Sequence, residues 1–321
     1  MITIRKPLNF IEIGRKDNQE DCLSPSKVDA DTRVFILCDG MGGHDNGEVA
    51  SMTAANALGA YLSSCTEVNV QVFEEGLEKA YDALDAIDTG SQKKPGTTMT
   101  CLCLNGNSYL VAHIGDSRIY HVRPSLYNAE AKRGGILYQS SDHSLVNDLF
   151  KAGELTEEEA RNFPHKNIIT RAMQPHLENR FKADVYILDD IQGGDYFFLC
   201  SDGVLEQLSN EMLCEILAEA TLNDEQKLCK IKNICYGNTR DNYSCWLIPI
   251  DSVDIKSSTS ETTTVIKAEE NVADEEISND KQSAKTQNME NCILRNPSVL
   301  WTINIIAIIV FTLCILFLFK K

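Results

Sequence analysis

Two short, continuous apolar segments each run into an Asp-Gly pair, Val34–Gly40 and Tyr196–Gly203. Apolar runs of this length that end at turn residues are typical of buried strands. The segment Gly96–Arg123 predicts three consecutive strands, with hairpin turns at Asn105-Gly106 and Gly115-Asp116. These segments predict the sheet framework of a folded domain.

Amphipathic segments between these strands predict helices at Glu48–Ser64, Val70–Ile87, Glu211–Ala220 and Asp224–Cys235. Thr156 and Glu159 have the spacing of a capping box, which predicts the start of a short helix. A last strand is predicted at Tyr243–Ile250. Because strands and helices do not alternate as βαβ units, we expect an α+β domain in which helices pack on antiparallel sheets.

Composition divides the 321 residues into three parts. Residues 1–250 carry the predicted strands and helices and form one domain. Residues 251–296 contain ten acidic and five basic residues and no aromatic residue. Such a segment buries too little apolar surface to offset the entropy of ordering, so we expect a disordered, acidic, Ser/Thr-rich linker.

The last part, residues 297–321, predicts a transmembrane helix followed by a Lys-Lys tail. The 24 residues from Asn296 to Phe319 carry no charge. A helix of residues 299–319 is about 31 Å long, which is enough to cross a bilayer. Trp301 and Lys320-Lys321 suit the two interfaces. No export signal precedes the domain, so we expect a single-pass membrane protein with its domain in the cytoplasm.

The charge and the cysteines narrow the class of protein further. Thirty basic and 47 acidic residues give a net charge of −17, which argues against a nucleic acid partner. None of the twelve cysteines forms a C-x-x-C motif. We expect free thiols packed as small hydrophobic residues, in keeping with a reducing compartment.

Acidic residues recur at the ends of the predicted strands and in turns. They are Glu20-Asp21, Asp39-Gly40, Gly115-Asp116, Ser201-Asp202-Gly203 and Asp241-Asn242. Any one Asp-Gly pair is a common turn. Together, carboxylates at the ends of buried strands need a cationic partner, and a donor set of oxygens without His or Cys favours Mg²⁺ or Mn²⁺.

The order of motifs along residues 5–250 resembles the metal-dependent protein phosphatase 2C family of Ser/Thr phosphatases, and the bacterial branch in particular. The motifs are NQED (Asn18–Asp21), CDGMGGH (Cys38–His44), GTTMT (Gly96–Thr100), HIGDSRIY (His113–Tyr120), SDHSLV (Ser141–Val146), NIITRAM (Asn167–Met173), LCSDGV (Leu199–Val204) and TRDNYS (Thr239–Ser244). The resemblance implies a four-layer sandwich of two antiparallel β-sheets flanked by helices. It also implies a mobile flap at about Leu145–Ala172, beside the active site.

The resemblance implies a role for each acidic position. Asp39 is expected to bridge two catalytic Mn²⁺ or Mg²⁺ ions, with the Gly40 carbonyl on one of them. Asp202 and Asp241 are expected to hold the other ion, and Glu20 and Asp21 to support the cluster. The resemblance to bacterial-type members also implies a third, weaker ion, which Asp116 is expected to share with Asp202.

The implied activity is hydrolysis of phosphoserine and phosphothreonine in proteins by a metal-bridged hydroxide, opposing a Ser/Thr kinase, in a monomer. Counting back from Glu20 to the family's phosphate-binding arginine leads to Lys16, with Arg15 beside it, and the choice between the two stays open. The general acid is either His44 or bound water. Two alternative functions also stay open: a catalytically silent scaffold with this fold, and a phosphatase of small phosphoesters.

Overall fold

The structure of the protein is a computed structural model that describes residues 1–42, 46–87, 94–161, 163–164 and 168–254. The strands are β1 (Ile2–Ile4), β2 (Leu8–Glu12), β3 (Asp21–Ser24), β4 (Val34–Met41), β5 (Gly96–Thr97), β6 (Met99–Asn105), β7 (Ser108–Ile114), β8 (Arg118–Val122), β9 (Ile136–Gln139), β10 (Asp184–Leu188), β11 (Tyr196–Cys200) and β12 (Tyr243–Val253). The helices are α1 (Asn46–Ser64), α2 (Val70–Asp85), α3 (Leu145–Lys151), α4 (Glu157–Arg161), α5 (Asp202–Leu205), α6 (Asn210–Ala218) and α7 (Asp224–Cys235), with one 3₁₀ turn at Pro124–Leu126.

The described strands form two six-stranded sheets, in which every pair of neighbouring strands is antiparallel. The first sheet has the order β1-β12-β11-β8-β9, with β2 also paired to β12. The second sheet has the order β10-β7-β6-β4-β3, with β5 also paired to β4. The prediction of antiparallel sheets is therefore confirmed.

Both faces of the central strands are buried, which explains why these strands are continuously apolar. In β4, Phe35 and Leu37 face the first sheet, whereas Ile36 and Cys38 pack in the cluster formed with α1 and α2. On the other side of the molecule, Phe198 of β11 packs in a cluster with residues of α6 and α7. The order helices, sheet, sheet, helices is the predicted four-layer sandwich.

One predicted hairpin is confirmed and the other is wrong. Asn105-Gly106 turns β6 into β7, and Gly106 has a φ of +49°. Gly115-Asp116 does not join two paired strands, because β7 pairs with β6 and β10 whereas β8 pairs with β9 and β11. At Gly115, φ is +105° and a Cβ would lie 2.6 Å from the Thr98 side chain, so only glycine fits where the chain passes from the second sheet to the first.

Several element ends also differ from the prediction. The strand predicted to reach Gly203 ends at Cys200, and α5 begins at Asp202. Strand β12 continues past Ile250 to Val253, because β1 pairs with its last residues. The capping box is confirmed: the Thr156 amide donates to Glu159 Oε2 (2.8 Å), and the Glu159 amide donates to Thr156 Oγ1 (3.3 Å).

Some of the predicted features lie outside the described residues. These are His44, the linker beyond residue 254 and the transmembrane helix of residues 297–321. Across the ranges that are described, no helix is both long and apolar enough to span a membrane. The described cysteines are all free thiols, as predicted, and seven of these ten are buried.

Candidate metal centre

Acidic side chains from both sheets meet at one end of the sandwich. Asp21 and Asp39 lie opposite each other in the register of β3 and β4. Asp202 lies two residues after the end of β11, and Asp241 lies two residues before β12 begins. Asp116 lies in the connection between the sheets, two residues before β8. The structure thus brings the predicted carboxylates together although they are up to 220 residues apart in sequence, as Asp21 and Asp241 are.

The Asp39 backbone is held by the threonines of the GTTMT motif. The Asp39 amide donates to Thr98 Oγ1 (3.0 Å), and the Thr98 amide donates to the Asp39 carbonyl (2.8 Å). The Thr97 hydroxyl donates to the same carbonyl (3.0 Å). Burial, followed by the charge of Asp21, raises the pKa of Asp39 well above its ordinary value. A carboxyl fixed in this way is stable as an anion only beside a cation.

Asp21 is the most deeply buried of the five aspartates in the cluster, at 5% exposed. Its Oδ2 accepts a hydrogen bond from Ser201 Oγ (2.8 Å), whereas its Oδ1 has no hydrogen-bond partner. Burial raises the pKa of Asp21 to about 7, and the neighbouring charges of Asp202 and Asp241 add to this effect. The unpartnered oxygen is available to a cation or to water bound to one.

Asp202 and Asp116 have similarly perturbed pKa values. Burial and the neighbouring Asp241 raise the pKa of Asp202 to about 6. Burial and the charge of Asp202 raise the pKa of Asp116 to about 7. Asp116 is 8% exposed, and its Oδ1 also has no hydrogen-bond partner. Clusters of like-charged carboxylates with raised pKa values are typical of metal and catalytic sites.

Glu20 is positioned by a close approach between β4 and α1. A Cβ on Gly40 would lie 2.2 Å from the Gly47 carbonyl oxygen, and a Cβ on Gly47 would lie 2.4 Å from Glu20 Oε1. The Gly47 amide donates to the Glu20 carboxylate, which partly offsets the raised pKa that burial gives to Glu20. Gly40 therefore has a packing role in addition to the metal-facing carbonyl that the resemblance implies.

The two candidate phosphate-binding residues point in different directions. Lys16 Nζ lies 2.7 Å from Asp241 Oδ1 and faces the carboxylates, whereas Arg15 Nη2 donates to the Gly237 carbonyl (2.7 Å). Burial lowers the pKa of Lys16, but its hydrogen bond to Asp241 and the charges of Glu20 and Asp39 outweigh this and raise it overall. Lys16 is the one of the two that joins the cluster.

Asn242 is a positioning residue that the sequence patterns did not single out. Its Oδ1 accepts from the Glu20 amide (2.8 Å), and its Nδ2 donates to the carbonyls of Ile13 (2.8 Å) and Asn18 (3.0 Å). A single side chain thus ties the segment that carries Lys16 and Glu20 to the start of β12. The only sequence signal for it is its position directly after Asp241.

A cavity of about 1160 Å³ opens beside the cluster. Asp116, Asp202 and Asp241 of the cluster line it. Val146 and Phe150 of α3 also line it, together with Leu205. The predicted flap, Leu145–Ala172, therefore borders the cavity, although residues 162 and 165–167 lie outside the described residues. The cavity has room for a peptide side chain that reaches the carboxylates.

The donor set fits hard divalent cations. All side-chain donors in the cluster are carboxylate oxygens, and two buried oxygens, Asp21 Oδ1 and Asp116 Oδ1, lack partners. Mg²⁺ and Mn²⁺ are the cations that such oxygen donors favour.

Comparison with known proteins finds a matching family and similar sequences. The sequence model for the family described as protein phosphatase 2C matches residues 12–227. The chain is 32% identical over 262 residues to protein phosphatase PhpP of Streptococcus pneumoniae, which covers 76% of this chain and 96% of that protein.

Solved structures show the same fold. The serine/threonine phosphatase of S. agalactiae superposes with a TM-score of 0.63 at 29% identity, over 76% of this chain and 99% of that one. The catalytic domain of the phosphatase PstP, solved in complex with two manganese ions, superposes with a TM-score of 0.62 at 24% identity, over 78% of this chain and all of that one.

Proposed function

This chain belongs to the protein phosphatase 2C family, and from that membership we propose that it removes phosphate from phosphoserine and phosphothreonine in proteins at the carboxylate cluster, reversing the action of a Ser/Thr kinase. The observation that carries the proposal is the convergence of Asp21, Asp39, Asp116, Asp202 and Asp241 beside one cavity, with raised pKa values at four of them.

Two Mn²⁺ or Mg²⁺ ions fit this donor set. Asp39 and the Gly40 carbonyl would hold one ion, and Asp39, Asp202 and Asp241 the other. Ions bound there would neutralise charge on the phosphoryl oxygens and lower the pKa of bound water. The Ser201 hydroxyl fixes the Asp21 carboxylate toward the cluster, and Glu20 is held by the Gly47 amide. A third, weaker ion would lie between Asp116 and Asp202.

We assign phosphate binding to Lys16. Its ammonium already lies among the carboxylates, and it can turn from Asp241 to a phosphate without leaving the site. Lysine offers a point charge and not the paired donors of arginine, so it attracts the phosphate without fixing its orientation. The apolar lining of the cavity, which includes Phe150 and Leu205, would contact the neighbouring residues of the substrate.

The activity is tested with the full-length chain on phosphoserine and phosphothreonine peptides. Phosphate release is expected with Mn²⁺ or Mg²⁺ and not after a chelator is added. Peptides are expected to be hydrolysed faster than small phosphoesters, because a peptide can also contact the apolar residues that line the cavity. Bound Mn²⁺ without release of phosphate from any substrate would favour the silent scaffold, and faster release from small phosphoesters would favour the metabolite phosphatase.

We also propose that residues 297–321 anchor the protein in a membrane, with the catalytic domain in the cytoplasm. The support is the uncharged segment Asn296–Phe319 and the flanking Trp301 and Lys320-Lys321. The full-length chain should remain in the membrane fraction after alkaline extraction. The variant Ile308→Arg/Leu313→Arg should be released, because each central charge costs about 3 kcal/mol of insertion. Equal extraction of both chains would contradict the anchor.

A further inference from the structure

We propose that His143 is a positioning residue that holds the Asp116 carboxylate at the metal centre by fixing the Gly115 peptide. The proposal rests on the proposed function in one respect, the assignment of Asp116 to the third ion. His143 lies in the SDHSLV motif, and neither the pattern of acidic residues nor the cavity gives it a role.

Two hydrogen bonds from one residue fix Gly115. The Gly115 amide donates to His143 Nδ1 (3.1 Å), and the His143 amide donates to the Gly115 carbonyl (2.9 Å). His143 is 3% exposed, so water does not compete for these bonds. Both hydrogen-bonding groups of the residue that precedes Asp116 are therefore held by His143.

The direction of the Asp116 carboxylate depends on this backbone. Its Oδ1 has no hydrogen-bond partner, so no neighbouring side chain fixes that oxygen. Gly115 has a φ of +105°, and the Thr98 side chain closes the other side of the turn. Loss of the bond to His143 Nδ1 would leave a buried amide unpaired and let the turn relax, which would move the carboxylate.

The neighbours of His143 fix the orientation and the tautomer of its ring. His113 stacks on it with ring centroids 4.6 Å apart and planes 10° apart, and His113 Nε2 donates to the Ser141 carbonyl (2.9 Å). Because His143 Nδ1 accepts a hydrogen bond, the proton of the neutral ring is on Nε2, which lies 3.4 Å from Asp184 Oδ2. Asp184 therefore favours the tautomer that can accept from Gly115.

The same three side chains have the composition of a metal site, because His113, His143 and Asp184 can offer ligand atoms within 4.8 Å of one another. Two features argue against a metal there. The proton on His143 Nε2 occupies the position that a metal would need, since Nδ1 is already an acceptor. In addition, a metal in the plane of one stacked ring would lie out of the plane of the other. The cluster therefore serves to orient His143.

His143 also connects the Asp116 turn to the flap. The Thr170 amide donates to the His143 carbonyl (2.9 Å), and Ser144 pairs with Ile169 in an isolated β-bridge. These contacts lie where the chain enters the flap and where it returns. His143 therefore contacts both the flap and the turn that carries Asp116.

Two substitutions separate the acceptor from the rest of the ring. In His143→Asn the side-chain oxygen can take the place of Nδ1 and accept from Gly115, whereas His143→Gln places its amide near Nε2 and leaves Gly115 without an acceptor. In the metal-free, full-length chain, exchange of the Gly115 amide hydrogen should be accelerated in the Gln variant and close to wild type in the Asn variant.

Calorimetric titration with Mn²⁺ is the second readout. We expect His143→Gln to lower the affinity for the weakest-binding ion about tenfold, as loss of a group that orients a ligand commonly does. The affinity for the tighter ions should not change. His143→Asn should change the affinity for the weakest-binding ion less than twofold. In an Asp116→Asn background, His143→Gln should have no further effect, because the carboxylate it positions is absent.

Equal amide exchange in the Asn and Gln variants would overturn the proposal. So would a loss of affinity for the weakest-binding ion that His143→Gln still causes in the Asp116→Asn background. The expected exchange and coupling in a chain that releases no phosphate would support the role of His143 and contradict the proposed activity. Thermal unfolding midpoints of both variants distinguish a local effect from general loss of folding. The two variants should unfold at similar temperatures, and only the Gln variant should bind the weakest-binding ion less tightly.

Discussion

The carboxyl groups at the metal centre bind either protons or cations. Burial and mutual repulsion raise the pKa of Asp21 and Asp116 to about 7 and that of Asp202 to about 6. In the unfolded chain these groups titrate near pH 4. The folded, metal-free protein therefore binds more protons than the unfolded chain between about pH 4 and pH 7.

This difference predicts how the stability of the metal-free protein changes with pH. Each additional proton bound by the folded state lowers the free energy of unfolding by about 1.4 kcal/mol per pH unit as pH rises. The stability of the chelator-treated chain should thus fall from pH 5 to pH 7, and less steeply in Asp21→Asn. With saturating Mn²⁺ the fall should be reduced or reversed. Thermal unfolding at several pH values measures this, and a metal-free stability that rises over this interval would contradict the cluster.

The contrast between Lys16 and Arg15 predicts different kinetic effects. Lys16→Met should raise KM for a phosphopeptide about tenfold, since a hydrogen bond to a charged group contributes roughly 1.5–3 kcal/mol. Arg15→Met should change KM less than twofold, because its guanidinium binds the Gly237 carbonyl. Steady-state kinetics at saturating Mn²⁺ compares them. A larger rise for Arg15→Met would assign phosphate binding to Arg15.

At the scale of elements, the site exists because strand ends from two sheets meet against the first turn of α1. Gly40 and Gly47 allow β4 and α1 to come into contact. Glu20 is fixed at this contact, and Asp39 is the residue before Gly40. The metal centre is therefore sensitive to the spacing between β4 and α1.

Gly40→Ala tests that spacing. The new Cβ would overlap the Gly47 carbonyl, so we expect the free energy of unfolding to fall by about 3 kcal/mol, at the upper end of typical overpacking effects. Gly106→Ala is the matched control, because its Cβ would contact nothing within 4 Å and only the positive φ is strained, which costs about 1 kcal/mol. Urea unfolding in chelator measures both. Equal losses would show that the contact between β4 and α1 does not matter.

Elements with a strong local pattern could be predicted, whereas elements fixed by distant partners could not. The runs at β4 and β11 are apolar on both faces, and α7 begins at an Asn-capped turn, so the sequence alone indicates them. The segment at Gly115, where the chain passes between the sheets, has the sequence pattern of a hairpin. Its true pairing could not be predicted, because β7 and β8 pair with β10 and β11 further along the chain.

The same division applies to the site. The predicted acidic residues all lie at one end of the sandwich. Asp39, Asp116 and Asp202 could be predicted because an apolar strand runs into each of them. The partners of Asn242 and His143 could not be predicted, since each side chain bonds to backbone groups distant in sequence. The choice between Arg15 and Lys16 needed the structure, because neighbouring residues in a loop can point in opposite directions.

At the scale of the whole molecule, the two sheets are joined by an apolar interior that contains few polar links. One link is Trp246 of β12, whose Nε1 donates to the Ile36 carbonyl (3.0 Å) in the other sheet. The same side chain packs edge-on against Phe35, with ring centroids 5.5 Å apart. Since ligands of the metal centre come from both sheets, this packing also sets the distances within the site.

Trp246→Phe removes this one polar link between the sheets and keeps an aromatic ring against Phe35. The free energy of unfolding should fall by about 2 kcal/mol or more, through the lost hydrogen bond and the smaller side chain. Binding of Mn²⁺ should weaken as well, because the sheets are less firmly fixed. Urea unfolding and calorimetry measure the two effects. Unchanged stability would contradict the role of Trp246.

If the convergent carboxylates form the phosphatase site, Asp39→Asn should abolish most of the activity. The measurement is kcat for release of phosphate from a phosphothreonine peptide by the full-length chain at saturating Mn²⁺, with Asp190→Asn as a control for loss of one surface carboxylate, since Asp190 is 73% exposed. We expect kcat to fall by about a hundredfold to a thousandfold for Asp39→Asn and less than twofold for Asp190→Asn, because an electrostatic group at the reacting centre contributes about 3–4 kcal/mol. A folded Asp39→Asn protein with wild-type kcat would contradict the assignment of the phosphatase site to this cluster.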